Sequence, residues 1–98
     1  MDNKDLACIS RNLREAFVNF CNGKRAHAQM SLSHAIHGIS KIEGRSRKMR
    51  LIRQHIEMTR DEIRCKLGAD QYIKNVITLS CLDINAYLPE DYDLYSVT

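Results

Sequence analysis

Eight side chains in this sequence could ligate a metal or serve as nucleophile and base: His27, His34, His37 and His55, with Cys8, Cys21, Cys65 and Cys81. His34 and His37 are three residues apart and His27 lies seven before His34, so a helix would turn all three toward one quadrant. A structural zinc site needs four ligands, and its cysteines usually come in close pairs. Here the cysteines are separated by 13, 44 and 16 residues, which matches no zinc pattern. The histidines read as polar residues flanking an apolar stripe, and neither a metal nor another cofactor is expected. Cys65 and His55 could be drawn together as nucleophile and base. Neither sits in a local signature, and a catalytic cysteine also needs an orienting group and an oxyanion pocket. No glycine-rich phosphate loop and no GxSxG motif is present, so an enzyme is not expected.

The stronger chemical signal is electrostatic. Net charge is only +3, but it is unevenly spread. Residues 1–23 carry three basic and three acidic groups, residues 24–66 eleven basic against four acidic, and residues 67–98 one basic against five acidic. The densest run is Arg45-Ser46-Arg47-Lys48-Met49-Arg50, with Arg53 beyond. Later charges have helical partners three or four residues away: Arg53 with Glu57, Asp61 with Arg64, Glu62 with Lys66. Arg45, Arg47, Lys48 and Arg50 have no acid at that spacing on the helix that Ser46 would open. If Ser46 opens a helix, these cations stand at its positive end, where the macrodipole disfavours them. Such a cluster suits phosphates of DNA or RNA, or an acidic protein surface; the plainer reading is a solvated face. Lys24 and Arg25 follow a helix C-terminus, where positive charge is favoured, and read as structural.

The elements that must position these groups are helices. Leu6, Ile9, Leu13, Ala16 and Phe20 recur at three and four residues, as do Ala28, Leu32, Ala35, Ile39 and Ile42, and again Met49, Ile52, Ile56, Thr59 and Ile63. Asp2 or Asn3 can cap the first stripe, with Gly23 as its stop, and Gly68 ends the third. Gly44 and Ser46 predict a hairpin between the second and third stripes, in preference to one helix from 24 to 67. After Gly68, Asp70 can cap a fourth helix from Tyr72 to about Leu82. Its β-branched residues allow a strand, but no comparable strand exists to pair with it. From Pro89 onward the period is lost.

Two further features bear on function. The third stripe is accompanied by a second apolar row, Leu51, Met58 and Cys65, seven apart and roughly opposite the first. A helix apolar on two faces is either enclosed in a bundle or offered to another chain. A recognition helix that reads bases should instead show a polar outer face, which weakens a helix-turn-helix reading. Near the end, Tyr87, Leu88, Tyr92, Leu94 and Tyr95 interleave with Glu90, Asp91 and Asp93. Tyrosine is enriched at interfaces, having an apolar ring and a polar tip.

Taken together, the sequence predicts an all-α fold: a small bundle of three to four helices over residues 1–88, with an extended acidic tail over residues 89–98. The charged start, Asp2-Asn3-Lys4-Asp5, and the lack of a long apolar run predict a cytoplasmic protein with free thiols and no membrane contact. The expected function is non-catalytic: binding a larger protein or protein complex and modulating or inhibiting it. Short dense chains of this sort are common among phage- and plasmid-type accessory proteins. The contact residues would be Arg45, Arg47, Lys48, Arg50 and Arg53, with Leu51, Met58, Tyr92 and Tyr95. The alternative is a nucleic-acid-binding regulator, as a homodimer, using Arg45–Arg53 on phosphates.

Overall fold

The structure, a computed structural model, describes residues 2–94. Tyr95 therefore lies outside the described residues. Four helices follow one another: α1 Asn3–Cys21, α2 Arg25–Ile42, α3 Arg47–Cys65 and α4 Asp70–Asn85. There is no strand among the described residues. The fold is a small all-α bundle, as the three apolar stripes predict.

Local chemistry sets the boundaries. The Asp2 carboxylate accepts the Lys4 amide at 2.9 Å and caps α1. Gly23, with φ of 74°, follows the C-terminal cap Asn22 and turns the chain toward α2. The hairpin between α2 and α3 forms as expected. Gly44 takes a left-handed conformation, φ 49°, and the Ser46 hydroxyl accepts the Met49 amide at 3.2 Å. Two boundaries differ from the sequence reading. α3 ends on Lys66, itself left-handed at φ 58°, whose amide bonds the carbonyls of Glu62 and Ile63. Its stop therefore precedes Gly68. Ala69 is the N-terminal cap of α4, so Asp70 sits inside the first turn. There its carboxylate still opposes the positive end of the dipole.

The helices form a ring in which α1 touches α2 and α4, and α3 touches α2 and α4. The Ser10 hydroxyl, buried in α1, donates to the Asn85 side-chain carbonyl and lies beside the Cys81 thiol, joining the first helix to the last. Across α2 and α3, Arg60 donates to the Ser33 hydroxyl at 3.3 Å and Arg25 to the Ile63 carbonyl at 3.2 Å. Arg25 also lies over the Phe20 ring, 5.3 Å from its centre, so its structural reading holds. Leu13, Phe20, Leu32, Ile39, Ile52, Ile56 and Ile63 share one core, extended by Met49, Ile73, Ile77 and Ile84; Phe17 packs at its edge. No helix among the described residues is long and apolar enough to cross a membrane.

Past α4 the chain does not simply leave the domain. Leu88 is buried, the Tyr92 amide turns back to the Pro89 carbonyl at 3.0 Å, and Tyr92 and Leu94 pack against the core.

Candidate interaction surface

The basic segment is partly neutralised by a residue that lies outside it in sequence. Glu43, the C-terminal cap of α2, reaches across the hairpin to α3. Its carboxylate accepts a two-pronged bond from the Arg53 guanidinium, the Nη2 arm at 3.2 Å, and stands 3.7 Å from Arg50 Nε. Arg53 bonds Glu57 as well, at 2.7 Å. Arg50 is thus paired after all, across the turn rather than along its own helix. The hydrogen bond from Arg53 holds the Glu43 carboxyl below the usual glutamate range, and Glu43 raises the Arg53 guanidinium in turn. The Glu43 side chain is 12% exposed and Arg53 22%, so this pair is a latch on the hairpin. Lys48 stands over the Tyr87 ring, 5.6 Å from its centre. Arg45 and Arg47 are exposed and have no ion pair among the described residues. The run of five cations therefore divides, and two of the five remain as an open charged surface.

The second apolar row of α3 has a different fate. Leu51 and Met58 are not enclosed by the bundle; Met58 stands along the edge of α3 that faces α4, and Leu51 lies two turns before it. Opposite them α4 presents Tyr72, Val76 and Leu79, spaced four and three, with Leu82 one turn on. Between the helices runs an open groove of about 320 Å³, floored by Ile52, Thr59 and Ser80 and flanked by His55, Glu62 and Asp83. Leu51, Met58, Leu67, Tyr72, Leu79 and Leu82 are each between 48 and 61% exposed. Only Val18 and Met30 among the other large apolar side chains of the described residues are comparably exposed.

The sequence reading named two members of this surface, Leu51 and Met58, and missed its other wall. The signal was available. α4 carries one stripe at Ile73, Ile77, Ser80 and Ile84, which is buried, and a second at Tyr72, Val76, Leu79 and Asp83, displaced by one residue. A doubled stripe of this kind is what singled out α3.

The remaining candidates are scattered. Tyr92 belongs to the packing under the chain's end, where it lines a hollow with Asn85, Leu88 and Leu94. His34 and His37 of α2 share a groove with Asp5 and Cys8 of α1, while His27 lies outside it. No group of three or more metal-binding side chains converges among the described residues. His55 lines the α3–α4 groove, and Cys65 is exposed and free, like Cys8 and Cys21; Cys81 is free and half-buried. Compared with protein-family models, curated proteins and solved structures, the chain matches none.

Proposed function

We propose that this chain is a non-catalytic interaction protein of the cytoplasm that binds a larger protein through its α3–α4 face and modulates or inhibits it. The observation that supports this is the concentration of exposed apolar residues. Six of the eight large exposed apolar side chains among the described residues lie on α3, α4 or the loop between them. Scattered exposed leucines need no explanation, but a continuous patch rimmed by polar groups favours an interface. Met58, Tyr72 and Leu79 share one groove, and Leu51, Leu67 and Leu82 lie on the same two helices and the loop between them. Arg45 and Arg47 add long-range attraction to an acidic partner surface, affecting approach more than grip.

The experiment is capture from a native extract, with and without nuclease, using wild type, Met58→Asp and Leu79→Asp. Retention of a stoichiometric protein partner by wild type, nuclease-resistant and lost by both variants, is the expected result. The alternative reading, a nucleic-acid-binding regulator, draws on the same exposed Arg45 and Arg47. It requires retention to vanish with nuclease and to weaken steeply with salt. The Glu43 latch counts against it, because it occupies two of the cations that phosphates would need.

A further inference from the structure

We infer that the occupant of the α3–α4 groove is an amphipathic helix of another protein, with an apolar stripe flanked at both ends by lysine or arginine. This rests on the interaction reading above and specifies its partner. Two ridges bound the groove, His55 and Met58 on α3 and Tyr72, Val76 and Leu79 on α4. Ridges of this kind accept the i, i+3, i+4 and i+7 side chains of a third helix. At about 320 Å³ and half open to solvent, the groove stands at the small end of the roughly 300–1,000 Å³ of small-molecule sites.

Charge decides between a foreign helix and a second copy. Glu62 lies at one end of the groove, its carboxylate against Gly68 in the α3–α4 loop, and Asp83 lies at the other, near the end of α4. Neither carboxylate makes an ion pair or hydrogen bond among the described residues. Two copies meeting face to face would be related by a two-fold axis in the contact plane. With that axis along the groove, Glu62 meets Glu62 and Asp83 meets Asp83. With the axis across the groove, Glu62 meets Asp83. Carboxylate faces carboxylate either way, and like charges brought together at a desolvating contact oppose association. A helix with cations at its ends meets both acids favourably. Asp83 lies eleven residues after Tyr72, about 16 Å along α4, so the partner's cations should stand about three turns apart.

A display library of helical peptides, panned against the full chain, tests this directly. The recovered peptides should carry apolar residues at helical spacing and basic residues about eleven positions apart. Their affinity should fall at least roughly tenfold on Met58→Asp and on Leu79→Asp. Glu62→Gln with Asp83→Asn should weaken binding severalfold and flatten its salt dependence. All four sites are exposed or lie at the groove's rim, and circular dichroism is the check that each variant keeps its helices. Acidic or aperiodic winners, no enrichment above background, or equal binding to the groove variants would overturn the inference. So would a wild-type dimer in sedimentation that Met58→Asp dissolves, since a second copy would then fill the groove. If basic helices fail while the extract partner is still lost by Met58→Asp, the interaction reading survives and only this occupant falls. If wild type captures no partner at all, the interaction reading itself fails.

Discussion

Between α1 and α2 the Ile9 side chain packs so closely on Gly38 that a methyl group there would stand 2.8 Å from Ile9 Cγ1. Between α3 and α4 the helices stand apart, and side chains that could have met across the seam remain in solvent. The α1–α2 pair also has an outer groove, about 430 Å³, but it is bordered by Asp5, Asn12, His34, His37 and Lys41. What sets the α3–α4 groove apart is three large apolar side chains more than half exposed, Met58, Tyr72 and Leu79, standing beside His55, Glu62 and Asp83. Two seams in one small bundle thus separate the residues that hold the fold from those left over for something else.

The largest expected effect sharpens that contrast by stability. Ile39, fully buried, should cost about 2–5 kcal/mol when cut to alanine, measured by urea denaturation. Leu79→Ala should shift stability by no more than about 0.5 kcal/mol. Comparable losses at both sites would mean that the α3–α4 face contributes to the core and is no spare surface.

Next is Gly38→Ala. Helix propensity alone would stabilise it by about 1 kcal/mol, but the new methyl must displace the buried Ile9, and overpacking typically costs about 1–3 kcal/mol. A net destabilisation of about 1 kcal/mol is expected from the same denaturation measurement. A stabilised variant would show that the α1–α2 seam has slack.

The hairpin latch gives a pH signature. Because the folded Glu43 carboxyl titrates lower than it does in the unfolded chain, its contribution is fully present above about pH 4.5. It declines as pH falls through the folded value. Glu43→Gln should therefore differ from wild type near neutrality and converge with it in acid, followed by thermal melts across that range. A constant difference at every pH would assign the effect to packing.

The smallest effect should be redox. The four thiols are free, so melting temperature should be the same with and without reductant, and all four should react with a thiol reagent once the chain is denatured.

The helices were legible because each of α1, α2 and α3 repeats apolar residues at three and four, and glycine or serine marks the breaks. α4 was legible by elimination, since its β-branched run had no strand to join. The basic segment was misjudged at Arg50 for a geometric reason. Glu43 is seven residues before it, too far to be a neighbour on one helix, and meets it only because the chain reverses at Gly44. The groove was half legible. The second row on α3 could be read from spacing, but whether a neighbour covers it depends on the distance between two helices, which no local pattern encodes.

The ring of helices has a kinetic consequence. Three of its four seams join helices adjacent in the chain and can form from short loops; the seam between α1 and α4 joins Ser10 to Asn85 and must close most of the chain. α4 is held on one side by that late contact and on the other by the loosest pairing in the bundle. It is the element that should let go first. Amide protons of α4 should exchange through a partial opening that leaves α1 to α3 protected, and such an opening would uncover the hydrophobic residues Ile73, Ile77 and Ile84. A ligand bridging α3 and α4 would slow that exchange by acting as a splint, reporting its presence in minutes-to-hours chemistry far from any contact it makes.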